Sequence, residues 1–141
     1  MSLLDEIYKQ TLLQHYKHPQ NFGVLPPPVV STPGVNPACG DQLELHLRLE
    51  GGQITQALWQ GQGCAISMAS ASMMTGLIQG KTIPEALDLV AKFKAMIVDG
   101  AEPAPELGDL RVLAGVHKLP ARVKCATLAW NTLEEALQRG R

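Results

Sequence analysis

The sequence predicts an α+β fold: a small antiparallel sheet of about three strands, with helices packed on one face, in a single domain. Three observations lead there. Leu43 to Glu50 alternates apolar and polar residues without a fault and is followed by Gly51-Gly52 and a second short β-like run. Helix-period segments precede and follow these strands instead of alternating with them. No internal repeat, low-complexity tract or long linker divides residues 1–141.

In order, Ser2 and Asp5 read as an N-cap with an acidic first turn. Leu3, Leu4, Ile7, Tyr8, Thr11, Leu12 and His15 then recur at helical spacing, and His18-Pro19 stops the helix. His15 and His18 read as a solvated or capping face near its C-terminus. Pro26-Pro27-Pro28 is an extended entry through Val29 and Val30 to a turn at Asn36 to Asp41. In the first alternating strand His46 falls on the polar face and is expected at the surface. The returning strand, Gln53 to Gln60, places Ile54 and Leu58 on one face and leaves Trp59 on the other, in need of cover.

Gly61 to Cys64 ends the hairpin, and Ala65 to Ile78 reads as a small-residue, closely packed helix closed by Gly80. Met68, Met73 and Met74 are core filler. Thr82-Ile83-Pro84-Glu85 is a capping box with proline in the first turn. The buried stripe behind it is Ala86, Leu87, Val90, Phe93 and Ile97, with Gly100 as the stop. A short helical stretch is expected from Glu106 to Ala114. Leu119-Pro120 opens the last helix, with Ala126, Ala129, Leu133 and Leu137 on one face.

Composition excludes several function classes. Of 141 residues 45% are apolar and 18% charged, which is too apolar for disorder. A net charge of −1 gives no pull toward nucleic acid or an anionic membrane. No apolar run approaches the roughly 20 residues that span a bilayer, and Met1 to Lys9 lacks a signal-peptide core. A cytoplasmic protein is expected.

Chemistry concentrates on the three cysteines, Cys39, Cys64 and Cys125, which cannot close a disulfide framework. There is no Cys-x-x-Cys, no zincin motif and no deaminase motif. All three fall at element boundaries: a turn before a strand, the start of a helix after a strand, and the first turns of the last helix. Cys64 at a helix N-terminus meets backbone N–H groups that favour a thiolate. Cys39 and Asp41 share a turn in which Gly40 lets both side chains converge, or in which Asp41 merely caps and Cys39 is a small buried hydrophobe. Three thiolates and one carboxylate suit a tetrahedral zinc site or an exchangeable iron–sulfur site. Arg111, His117, Lys118, Arg122 and Lys124 make the approach to Cys125 basic, either to attract an anionic sulfur donor or as a solvated helix start.

Asn36 to Asp41, Gly61 to Ser67 and Val123 to Trp130 resemble the three cysteine motifs of the U-type iron–sulfur cluster assembly proteins. The resemblance spans nearly the whole chain. It implies an α+β fold that receives sulfur from a cysteine desulfurase of the SufS/IscS type. It also implies Cys39, Asp41, Cys64 and Cys125 as ligands of zinc or of a transient [2Fe–2S] cluster. Two departures separate the chain from the housekeeping branch: Lys124 replaces a histidine before the third cysteine, and Leu119-Pro120-Ala121-Arg122-Val123-Lys124 replaces a chaperone-binding Leu-Pro-Pro-Val-Lys. The spacing after Cys64 and Leu-Ala-Gly-Val at 113–116 resemble the SufU-like branch, which implies tightly held zinc and no specialised Hsp70-type partner.

The resulting expectation is an assembly and sulfur-acceptor protein, possessing at most a zinc-dependent sulfurtransferase role, with Cys125 as candidate acceptor because of its basic surroundings. A scaffold that passes a labile [2Fe–2S] cluster to apo-proteins or carriers is the alternative. A zinc-dependent hydrolase using Asp41 as base, and a purely structural zinc domain, are weaker rivals.

Overall fold

The computed structural model describes residues 3–37 and 40–140, with side chains from Lys9 onward. The order is α1 (Leu3–Lys17), β1 (Val30–Asn36), β2 (Asp41–Glu50), β3 (Gln53–Gln62), α2 (Ala65–Ile78), α3 (Ile83–Val98), a 3₁₀ segment (Pro105–Lys118) and α4 (Pro120–Arg139). The three strands form one antiparallel sheet in the order β1-β2-β3. This is the predicted α+β fold with three strands, the third being β1, which follows the proline run. Pro33 is tolerated because β1 is an edge strand. The proposed N-cap at Ser2 lies outside the described residues.

Alternation in β2 decides what faces the helices. Leu43, Leu45 and Leu47 point inward, and β3 answers with Trp59 opposite Leu45 and Ala57 opposite Leu47. The same parity turns Asp41, at the start of β2, to the helical side, where it is fully buried. Gly51 and Gly52 have φ of 59° and 79°, the paired left-handed values of a tight hairpin.

The expected pairing of Ile54 with Leu58 on one face is incorrect. Arg48 pairs with Gln56 but Leu49 pairs with Ile54, so Thr55 is an extra residue in β3. This bulge reverses the parity: Ile54, Ala57 and Trp59 share the core face, and Leu58 lies outside. Trp59 gains its cover there, where its indole N–H donates to Gln20 O at 2.9 Å and its ring meets Phe22 edge-on.

His46 is also not a surface residue. It is 7% exposed, and Nε2 lies 2.6 Å from Glu44 Oε1. The segment from Gln20 to Pro28 pairs with the edge of β3 at Trp59 and then reaches Arg48, which shares the face of His46. That segment is tied down by Gly23 N–H to Trp59 O, by Trp59 N–H to Asn21 O, and by Arg48 Nη2 to Pro26 O at 2.8 Å. The helices occupy one face as predicted, and the strap reaches the other at Arg48.

The small residues of α2 do what the sequence suggested. Ser67, Ala69, Ser70, Ala71 and Ser72 are buried, and Ser70 Oγ donates to Ala126 O of α4 at 2.8 Å. Without bulky side chains between them, the two helix backbones approach closely. Gly34 lets α4 approach β1 in the same way, since a Cβ there would collide with Thr132. In α3 the capping box forms as read, and Leu89 and Met96 join the buried stripe, while Leu87 is only partly buried. The helical stretch after it runs longer than expected and kinks at Gly108, whose φ of 57° and ψ of −129° break the helix. Phe93 and Trp130 stack at 4.7 Å between α3 and α4.

His15 departs from a solvated role. Its Nδ1 bonds Ser72 Oγ at 2.7 Å, locking α1 onto α2, and burial lowers its pKa, partly offset by Asp109. A base depressed in the folded state favours the neutral form, so this site stabilises the fold above the unfolded pKa of about 6.5 and loses that contribution as pH falls through the lower folded value. Melting midpoints between pH 7.5 and 5 should therefore fall less steeply for His15→Gln than for the wild type. Parallel curves would show that His15 does not titrate with folding. Among the described residues no helix is long and apolar enough to cross a membrane.

Candidate metal centre

Three elements deliver the site. The end of β3 runs into α2, and Cys64 occupies the N-cap of that helix with φ −71° and ψ 167°. Its sulfur takes the role usually filled by a serine or aspartate oxygen, accepting the Ser67 N–H at 3.4 Å. Asp41 arrives from the start of β2: its Oδ1 accepts the Cys64 N–H at 2.9 Å, and its Oδ2 stands 3.9 Å from Cys64 Sγ. Cys125 arrives from the first turns of α4, beside the Ala126 carbonyl that Ser70 holds, and is fully buried.

Asp41, Cys64 and Cys125 can each place one ligand atom within 4.8 Å of the others. Tetrahedral zinc ligands at ordinary bond lengths stand roughly 3.6–3.8 Å apart, so an ion would need only a small contraction of the set. Among the described residues this is the one cluster of three or more metal-capable side chains. The expected fourth ligand, Cys39, lies outside the described residues. Its neighbour Gly40 has φ of 72°, and Asn36 pairs with Asp41 across the β1–β2 turn, so the strand before Cys39 ends beside the site. Two thiolates and a carboxylate suit a borderline-soft divalent ion.

The basic approach to Cys125 resolves into separate roles. Arg122 lies three residues before Cys125 on the same helix face. Its guanidinium is held above its ordinary pKa first by a hydrogen bond to Cys125, then by the charges of Cys64 and Cys125. Arg111 instead donates to Gly108 O, and His117 Nδ1 sits 3.1 Å from Ile97 O. Lys124 lines a different recess, of about 300 Å³, with Val35, Asn36, Pro37, Thr127, Leu128 and Asn131. Of Arg122 and Lys124, Arg122 is the cation coupled to Cys64 and Cys125. Spacing from Cys125 was the available signal for it. Gly63 was also missed as a site residue: a Cβ there would stand 2.5 Å from Asp41 Oδ1.

The family model for the NifU-like N terminal domain matches residues 7–139. The chain belongs to this family. Among relatives of this NifU-like domain, the zinc-dependent sulfurtransferase SufU of Bacillus subtilis (strain 168) is 46% identical over 138 residues, covering 96% of this chain and 92% of the relative. The iron–sulfur cluster assembly scaffold protein IscU of Streptococcus pyogenes serotype M1 is 41% identical over 140 residues, covering 99% and 87%. A crystal structure of a putative iron–sulfur cluster assembly scaffold protein for the SUF system, from Fervidobacterium islandicum AW-1, superposes with a TM-score of 0.87 at 34% identity, covering 94% of this chain and 97% of that one. The likeness extends over nearly the whole NifU-like domain and includes the segments that carry Asp41, Cys64 and Cys125.

Proposed function

We propose that this protein is a zinc-binding iron–sulfur assembly protein that accepts sulfane sulfur from a cysteine desulfurase. The observation that carries the reading is the convergence of Asp41, Cys64 and Cys125 from three separate elements, in a family whose members include a zinc-dependent sulfurtransferase. Cys39, Asp41, Cys64 and Cys125 would hold the metal. Zinc, when bound, keeps coordinating thiols deprotonated near neutral pH.

The chain's own residues supply the rest. The Cys64 N–H orients the Asp41 carboxylate, and the first turn of α2 directs an N–H at the Cys64 sulfur. Arg122 places a fixed positive charge where an anionic persulfide must arrive. In the transfer, an acceptor thiolate bonds to the terminal sulfur of the donor persulfide as the donor's own S–S bond breaks. The donor cysteine leaves as thiolate, so no oxidant is required. Cys125 has Arg122 against it but no solvent exposure, so its use as acceptor requires desulfurase docking to open the start of α4. Persulfide mapped by mass spectrometry after turnover should fall on Cys125; on Cys64 or Cys39 it would show that access decides the acceptor.

A second reading, a scaffold for a labile [2Fe–2S] cluster handed to apo-proteins or carriers, is favoured by the same donor set and by the scaffold relatives. Anaerobic reconstitution followed by transfer to an apo-ferredoxin separates the two.

The decisive assay follows desulfurase turnover with and without this protein, at low and high salt. The zinc-loaded wild type should stimulate turnover. Arg122→Ala should lose about threefold to tenfold at low salt and less at high salt, where screening already weakens the wild type's advantage. Lys124→Ala should lose less than Arg122→Ala, because Lys124 lines the recess beside Asn36 and Pro37 and Arg122 is the cation coupled to Cys64 and Cys125. Equal losses for both variants would mean that only the general basic character of the segment counts. No stimulation by the wild type would overturn the sulfur-acceptor reading.

A further inference from the structure

Resting on the metal-site reading above, we propose that Gly63 is a positioning residue for the Asp41 carboxylate, whose seat it leaves open by having no side chain. A Cβ on Gly63 would lie 2.5 Å from Asp41 Oδ1, 2.9 Å from Cγ and 3.2 Å from Cβ. The carboxylate therefore lies flat against the backbone of residue 63, in space that any other residue fills. Conformation does not demand glycine here. Gly63 is absent from the glycines with positive φ, unlike Gly61, whose φ is 153° and whose Cβ would strike the Gln42 backbone.

Two constraints follow from that seat. Resting on Gly63 brings Oδ1 to 2.9 Å from the Cys64 N–H, so one oxygen is engaged by the backbone of the very residue whose sulfur is a ligand. The other oxygen, Oδ2, is 3.9 Å from Cys64 Sγ. The carboxylate is thereby set to offer the metal a single oxygen. A bidentate carboxylate would crowd a tetrahedral ion and favour larger, harder cations with more oxygen ligands. Gly63 thus bears on which metal the site prefers as well as on how tightly it is held. A methyl group at 63 forces the carboxylate to rotate away, breaks its bond to Cys64 N–H and shifts the oxygen from the thiols.

The test is a double-mutant cycle of wild type, Gly63→Ala, Asp41→Ala and the combined variant. Zinc affinity is read by competition with a chromophoric chelator, and the ligand set by the visible d–d spectrum of the cobalt(II)-loaded proteins. Gly63→Ala should weaken zinc by about tenfold to a hundredfold, as loss of an orienting contact does, and should alter the cobalt spectrum. In the Asp41→Ala background it should change neither, because the group it displaces is gone. Wild-type affinity in Gly63→Ala, or the same loss in both backgrounds, overturns the inference while leaving the metal site standing. Failure of the wild type to bind zinc or cobalt overturns the metal-site reading itself. If Gly63→Ala does not fold, circular dichroism of the combined variant decides: recovery of the fold on removing the carboxylate supports the clash, and continued unfolding contradicts it.

Discussion

Asp41→Ala is expected to weaken zinc by more than about a hundredfold, since the proposed site loses a ligand and not just a contact that orients one. Tight zinc binding stabilises the folded protein by mass action, so a hundredfold loss lowers holo-protein stability by about 2.7 kcal/mol at fixed excess zinc. The metal-free variant should differ far less from its metal-free parent. There, loss of a buried carboxylate relieves a charge, while the Cys64 N–H is left without the acceptor it has at 2.9 Å, and the two effects oppose. Thermal melts with zinc and with chelator measure both. Equal losses in the metal-free and the loaded protein would make Asp41 a turn residue only.

Ser70→Leu should damage the same centre from a distance. Ser70 is fully buried at the α2–α4 contact and bonds Ala126 O, the residue next to Cys125. Three extra side-chain carbons in that contact cost about 1–3 kcal/mol by overpacking. They can be admitted only by parting the helices that carry Cys64 and Cys125. Stability and zinc affinity should fall together. Ser70→Ala, which loses the hydrogen bond but keeps the close approach, should cost only about 0.5–1.5 kcal/mol and retain zinc. Zinc bound at wild-type strength in Ser70→Leu would show that the thiols are not positioned by this packing.

Both predictions show why part of the structure was legible in the sequence. Strict alternation from Leu43 to Leu49 fixed a sheet face, and Asp41 lies on its inward parity, so its approach to the helices is a property of the pattern. The capping box of α3 and the Gly51-Gly52 turn are local chemistry, and each formed as read. Cys64 at a helix start was also a local inference. The bulge at Thr55 could not be read this way, because it is a choice between two registers made by the packing of Ile54 and Trp59. His46 is buried although it lies on the face opposite Leu45 and Leu47, a cover from outside the strand that no periodicity within β2 encodes. The five basic residues before Cys125 read as one patch, yet the helical rotation of α4 couples Arg122 to Cys64 and Cys125 and sets Lys124 in the recess beside Asn36 and Pro37. Gly63 looked like a turn residue because its significance is the space it leaves, visible only once Asp41 is seated beside it.

The central claim is that Cys39, Cys64, Cys125 and Asp41 hold one zinc ion. X-ray absorption at the zinc edge of freshly purified protein tests it most directly. The account predicts stoichiometric zinc with three sulfur ligands at about 2.3 Å and one oxygen at about 2.0–2.2 Å. Nitrogen and oxygen ligands alone, or folded protein that stimulates the desulfurase while holding no metal, would contradict it.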